Sequence, residues 1–164
     1  MHQIISKGQR GSVTLEYSLI WPFILGMLLF VFVVAWNFYV AMIFPYYVTE
    51  TARMTANEIR NPKSSYYLKD PSSLFKDKLS YVVSQDVLIS VYQATGTNSI
   101  ITDVTFYEDV DDLVNNMAAP TYTPETKIVH YSATINAPYQ FLYSMTGAMY
   151  SNDVTVAYSY PIYR

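Results

Sequence analysis

The chain lacks cysteine entirely and is poor in glycine and histidine. Without cysteine it has no disulfide, no zinc–thiolate site and no thiol nucleophile. Five glycines leave little room for phosphate-binding loops, and neither a GxSxG nor an HExxH pattern is present. His130 lies inside a predicted strand with no nucleophile signature beside it, which favours a structural role. We therefore predict no enzymatic activity, no catalytic residue, no metal site and no cofactor.

Charge is also scarce and unevenly placed. The formal net charge of -3 argues against a nucleic-acid partner, because nucleic-acid binding calls for a basic face. No Asp, Glu, Lys or Arg occurs between Tyr17 and Thr49. Since roughly 20 apolar residues cross a hydrocarbon layer of about 30 Å, this run predicts one membrane span at about Leu19–Phe44. Aromatic residues in and just after its second half predict an interfacial belt: Trp36, Tyr39, Tyr46 and Tyr47.

The first helix is predicted to continue well past the membrane. It begins near Ser12, and its pattern later changes from uniformly apolar to amphipathic. Asn61-Pro62 ends the helix, because a residue before proline avoids the helical conformation. We therefore divide the chain into a basic leader, a long helix and a small domain, at residues 1–11, 12–61 and 62–164.

Residues 62–164 predict an α+β domain. Asp70 as a cap and Pro71 at the first position start a helix that runs to about Gln93. The stretch 86–92 has enough β-branched residues to be a strand instead, so that alternative stays open. We expect the helix to pack on an antiparallel sheet of three strands or slightly more, and a fragment starting near Asn61 to fold alone. The predicted strands are Ile100–Tyr107, Lys127–Asn136 and Asp153–Tyr160.

Two connections in this domain have unusual compositions. Glu108 to Asp112 is acidic and could hold Ca²⁺, but it lacks the alternation and central glycine of an EF-hand, which favours a solvated acidic turn. Ala137 to Gly147 is apolar and too short to span a membrane. This loop either contacts a partner or caps the domain's own sheet. Its candidate contact residues are Phe141, Leu142, Tyr143 and Met145.

Glu16 stands at the edge of the apolar run, where an ionisable side chain is costly and usually has a functional partner. If the chain were cut after Gly11, the new α-amino group of Ser12 would lie about one helical turn away. That amine could neutralise the carboxylate in the same helix or in a packed neighbour. Alternatively, the helix merely starts at Glu16, with the acid favourably placed near its N-terminus.

The segment from Arg10 to Pro22, RGSVTLEYSLIWP, resembles the N-terminal signal of TadE-like proteins, the minor pilin-related components of tight-adherence (type IVb) systems. The shared features are a glycine, four residues, glutamate, an aromatic, a small residue, two aliphatic residues and then proline. Flp-type major pilins share the Glu-Tyr pair but have almost no soluble domain, so the long remainder of this chain favours the TadE-like family. The residues that carry this class III prepilin signal are Gly11, Ser12, Glu16, Tyr17 and Pro22.

This resemblance implies cleavage between Gly11 and Ser12 by a prepilin peptidase, followed by a structural role in pilus biogenesis, surface adhesion or priming. It implies a short cytoplasmic N-terminus, one membrane span and an extracytoplasmic C-terminal domain. The protein would either enter a surface filament or stay in the membrane as an assembly factor. Its partners would be the peptidase, other pilins, the inner-platform proteins of a pilus machine and membrane lipid.

Two other classes of function remain. The chain could be an unprocessed, signal-anchored binding protein outside the cytoplasm, which contacts a receptor through the loop at 137–152 or through the tyrosine-rich sheet. A membrane-tethered enzyme remains only if an unrecognised site exists around His130 and the acidic connection. N-terminal sequencing separates a processed pilin, which starts at Ser12, from a plain anchor, which starts at Met1.

Overall fold

The computed structural model describes residues 7–67, 69–94, 100–135 and 154–162, with side chains from residue 16 onward except those of 92–94. These residues form a long N-terminal helix, shorter helices and a three-stranded antiparallel sheet, so the predicted α+β class is confirmed. In chain order the elements are α1 (Lys7–Arg60), α2 (Pro71–Gln85), α3 (Val87–Ala94), β1 (Ile101–Tyr107), α4 (Val110–Val114), β2 (Ile128–Ile135) and β3 (Val154–Pro161).

The long helix α1 spans 54 residues and continues through both Pro22 and Pro45. It begins at Lys7, earlier than the predicted start near Ser12. Contacts divide the chain into two compact units, Met1–Phe38 and Tyr39–Arg164. This division differs from the predicted domain boundary at 61/62. Asn61-Pro62 does end the helix, but the compact unit already begins inside it.

The part of α1 that follows Tyr39 supplies one wall of the core of the second unit. Val40, Phe44 and Val48 follow at four-residue steps and are fully buried, and the buried stripe continues to Ile59. A helix turns once every 3.6 residues, so this spacing gathers them on one face. The predicted span at 19–44 therefore overlaps the core, because its last residues are packed inside the second unit.

Side chains of α2 and of the sheet contact this half of α1. Asp70 caps α2 by accepting a hydrogen bond from the Ser72 amide at 3.1 Å, and Pro71 occupies the first turn, as predicted. The ring of Phe75 on α2 lies 4.9 Å from the ring of Tyr131 on β2. The Tyr160 hydroxyl on β3 donates to the Thr49 carbonyl of α1 at 3.3 Å, which joins the sheet to the helix.

The predicted helix at 71–93 is two helices instead of one. Asp86 adopts an extended conformation between them, with φ -91° and ψ 108°, and so interrupts the helix. The segment that follows is helical, so the alternative of a strand at 86–92 is not what the structure contains. The side chain of Asp86 accepts hydrogen bonds from the amides of Leu88 and Ile89, at 2.9 and 3.1 Å. A carboxylate in this position starts a new helix, which explains the break.

The sheet has the order β1-β2-β3 with both pairs antiparallel. Alternation in β2 sends Val129, Tyr131, Ala133 and Ile135 into the core, while the residues between them form the outer face. That outer face is polar: Thr134 lies opposite Thr155, with 3.0 Å between their hydroxyls. The three strands match the predicted ones to within one or two residues at each end.

Of the two connections with unusual compositions, the structure describes the acidic one at 108–112. The acidic segment leads into the short helix α4: Glu108 and Asp109 precede the helix, and the Asp109 side chain caps it by accepting from the Asp112 amide at 2.9 Å. Acidic residues in the first turn of a helix are favoured by its dipole. The apolar loop at 137–147, with Phe141, Leu142, Tyr143 and Met145, lies outside the described residues.

Candidate processing and assembly motif

All five residues of the predicted signal lie on α1. Gly11 and Ser12 belong to its first turns, and Glu16, Tyr17 and Pro22 follow on the same uninterrupted helix. Glu16 is the fourth residue after Ser12, a spacing that places two residues on the same helical face with their Cβ atoms about 5–6 Å apart. The backbone geometry therefore brings the nitrogen of Ser12 within about one helical turn of the Glu16 side chain.

The helix that follows the signal is exposed on all sides. Every residue from Glu16 to Phe32 is exposed, including large apolar side chains such as Trp21 and Phe23. By length and composition α1 could cross a membrane, and it is the helix with that property in the described part of the chain. An apolar surface of this extent is costly in water, so it requires cover by lipid or by other helices.

The part of α1 that is left to cross a membrane is shorter than the predicted span at 19–44. Residues from Tyr39 onward belong to the second compact unit, which leaves Leu19–Phe38 as the part of the predicted span outside it. At 1.5 Å per residue this stretch is about 30 Å long, the thickness of the hydrocarbon layer. The predicted span is thus longer than needed by roughly two turns, and those turns pack in the core.

A cluster of three polar side chains ties α1 to α3 just after this stretch. The hydroxyl groups of Tyr39 and Tyr47 donate to the same oxygen of Asp86, at 2.7 and 2.9 Å. The other oxygen of Asp86 accepts the two amide hydrogen bonds that start α3. Burial opposes ionisation of this carboxyl, but the hydrogen bonds from Tyr39, Ile89, Tyr47 and Leu88 outweigh it and hold the pKa of Asp86 below its ordinary value.

The sequence patterns do not predict this tyrosine–aspartate cluster. The sequence predicts an interfacial aromatic belt that includes Tyr39 and Tyr47, and it places Asp86 either inside the helix at 71–93 or at the start of a strand. Two features of the sequence are consistent with the cluster. Tyr39 and Tyr47 are eight residues apart, which places them on one face of a helix, and Asp86 directly precedes an apolar segment. A sequence alone does not show that the two elements meet. Tyr46, the neighbouring member of the predicted belt, is exposed.

His130 and the acidic residues, the candidates for a catalytic or metal site, lie in two different places. The Nδ1 atom of His130 on β2 lies 2.8 Å from the Ser159 hydroxyl on β3, as a cross-strand pair on the outer sheet face. The acidic residues Glu108 and Asp109 line an open cleft together with Lys127 and Ile162, and His130 is not part of its lining. Within the described residues, no group of three or more potential metal ligands comes together.

No protein-family model, curated protein or solved structure matches this chain.

Proposed function

We propose that this protein is a minor pilin-like structural subunit of the TadE-like type, acting in the biogenesis of a tight-adherence (type IVb) pilus. It acts by helix packing and display of its C-terminal domain, and not by catalysis. The observation that carries the proposal is the joining of three features in one helix. A glycine, four residues and a glutamate come first, an exposed apolar stretch follows, and the helix then enters the core of a compact domain.

The exposed stretch suits a subunit that exchanges one apolar environment for another. The side chains from Tyr17 to Phe32 are covered by lipid while the protein is stored in the membrane. In a filament the same side chains pack against the helices of neighbouring subunits. The last part of α1 belongs to the second compact unit, so the packing segment and the display domain share one helix along the chain.

The signal residues have two roles in this proposal. Gly11 is the cleavage point, since a residue without a side chain lets a peptidase approach the backbone. Glu16 then pairs with the free amino group of Ser12, within the helix or across two subunits. An unpaired carboxylate in a low-dielectric bundle is costly, so this pairing selects correctly processed subunits for assembly. Tyr17 and Pro22 complete the pattern that the peptidase and neighbouring subunits recognise.

The proposal also assigns sides of the membrane. The leader with Lys7 and Arg10 stays in the cytoplasm, where prepilin peptidase removes it, and the domain after the span lies outside. Positive charges follow the span as well, at Arg53 and Arg60, so the orientation depends on the resemblance more than on charge. Other pilins, the inner-platform proteins and membrane lipid are the partners in this arrangement.

The test compares two glycine substitutions in the native host. Gly11→Leu is expected to leave the full-length protein in the membrane with its leader attached. Gly8→Leu changes a glycine inside the leader and is expected to leave cleavage unchanged. Intact mass spectrometry of the membrane-extracted proteins measures both. If wild type and both variants all retain Met1, the protein is an unprocessed, signal-anchored binding protein and the pilin proposal is overturned.

A further inference from the structure

The helix α3 presents an apolar face to the outside. Val87 is 70 % exposed, and the side chains of Leu88 and Val91 are also exposed. These three positions fall on one side of a helix, whereas Ile89 on the opposite side is fully buried. The sequence of α3, VLISVYQA, contains no charged residue. A solvent-facing helix normally carries polar residues on its outer side, so this face indicates a non-aqueous environment.

The position of α3 along the chain indicates which environment this is. Asp86, the residue before α3, is hydrogen-bonded to the hydroxyl of Tyr39 at 2.7 Å. Tyr39 directly follows Phe38 in α1, and Phe38 is the last residue of the first compact unit. If the span occupies Leu19–Phe38, covalent connection puts Tyr39 at the membrane surface, and the hydrogen bond brings the start of α3 to the same level.

The exposed side of α1 at this level is apolar too. Met42 and Tyr46 are exposed and lie one turn apart on the same face. One turn after Tyr46 that face becomes charged, with Glu50 and Arg53 forming an exposed ion pair at 2.6 Å. Beyond Phe38 the helix rises about 6 Å to Met42 and about 12 Å to Tyr46, while the headgroup region on each side of the hydrocarbon layer is about 5–8 Å thick. Met42 therefore falls within the headgroup region and Tyr46 at its outer edge, before the charged pair begins.

We propose that the exposed face of α3, together with Met42 and Tyr46 of α1, lies in the headgroup region of the bilayer that holds the apolar helix. The domain then rests on the membrane through this lipid-facing surface. Asp86 has its hydrogen bonds supplied by Tyr39, Tyr47 and two amides, so its carboxylate is accommodated beside that layer. The inference rests on the membrane anchorage in the proposed function and adds the surface that touches lipid.

Because the chain has no cysteine, a single introduced cysteine is labelled at that position alone. Val87→Cys is compared with Val114→Cys in the full chain, each carrying a nitroxide spin label and reconstituted in phosphatidylcholine vesicles. Val114 is a matched control, since it is also an exposed helical valine, at 77 %. Val114 follows the C-terminal end of β1, whereas α3 precedes its N-terminal end, and the strand between them is about 20 Å long. Leu28→Cys, in the apolar part of α1, reports on the anchor itself.

Collisions of the label with oxygen, which dissolves in lipid, are measured against those with a water-soluble nickel chelate. At Val87 we expect collisions with oxygen to dominate, at a depth of about 5–10 Å, and at Val114 we expect collisions with the nickel chelate to dominate.

If Leu28 is in lipid but Val87 gives the same result as Val114, the membrane anchor is supported and the lipid-facing surface is refuted. Shielding of Val87 from both reagents, with spin–spin broadening, assigns the face to a second copy of the chain and also overturns the inference. A water-exposed Leu28 removes the anchor and this inference together.

Discussion

Removing residues 39–61 from the second compact unit should abolish its folding. The perturbation is a comparison of two fragments, 39–164 and 62–164. The second fragment begins where the sequence predicts the domain boundary, and it retains α2, α3 and the sheet. What it lacks is the wall of the core formed by Val40, Phe44, Val48 and Ile59, all of which are fully or almost fully buried.

The magnitude follows from this burial. Fully burying a large apolar side chain contributes about 1.5–3 kcal/mol, so these four side chains contribute about 6–12 kcal/mol together. The whole free energy of unfolding of a domain is about 5–15 kcal/mol. The shorter fragment also loses the hydroxyl groups of Tyr39 and Tyr47, which leaves Asp86 without two of its four hydrogen bonds. We therefore expect no stable native state for 62–164.

Urea denaturation followed by far-ultraviolet circular dichroism measures the difference. Fragment 39–164 should unfold in one cooperative transition, and fragment 62–164 should show none. Addition of a synthetic peptide covering 39–61 is a control, because it restores the missing wall and should restore part of the transition. A cooperative transition of 62–164 with the same midpoint as the longer fragment would refute the assignment of this helix to the core.

Three further predictions test particular residues. In fragment 39–164, Phe44→Ala should lower the free energy of unfolding by about 3–5 kcal/mol, while Met42→Ala, at a 76 % exposed site two residues away, should change it by less than about 0.5 kcal/mol; equal effects would contradict the core stripe. Because the folded-state pKa of Asp86 is lowered from 3.8, its contribution to stability is present above about that pH and is lost as the pH falls further. Urea midpoints measured from about pH 6 downward should show this acid-dependent loss reduced in Asp86→Asn and retained in Asp77→Asn, a control on an exposed aspartate. Glu16→Ala and Glu16→Gln should both be cleaved normally but enter surface filaments less, as measured by immunoblotting of sheared filaments, and normal incorporation would remove the Glu16 charge from the mechanism.

Local patterns were sufficient to predict the strands and the start of α2. The alternation of Val154, Val156 and Tyr158 with smaller or polar residues predicted β3, because a strand with one buried face must alternate. Asp70-Pro71 predicted the start of α2 for a reason that is equally local, since a cap and its helix are adjacent in sequence. These features depend on neighbours along the chain, and the structure agrees with them.

The domain boundary and the tyrosine–aspartate cluster depend on contacts between distant residues. Val40, Phe44 and Val48 are apolar whether they face lipid or a protein core, so composition does not distinguish the two environments. Tyr39 and Asp86 are 47 residues apart, and each is compatible with another local interpretation. The signal residues Gly11 and Glu16 were identified as a pattern, and their role stays a prediction because cleavage is a covalent event that a fold does not record.

The most direct test of the pilin proposal is the N-terminal residue of the wild-type protein extracted from the membranes of its native host. The proposal predicts Ser12 at the N-terminus, with the leader from Met1 to Gly11 removed and the apolar helix retained. N-terminal sequencing together with intact mass measures this without any substitution. A chain that begins at Met1 in cells with an active prepilin peptidase would contradict the account and favour an unprocessed membrane anchor.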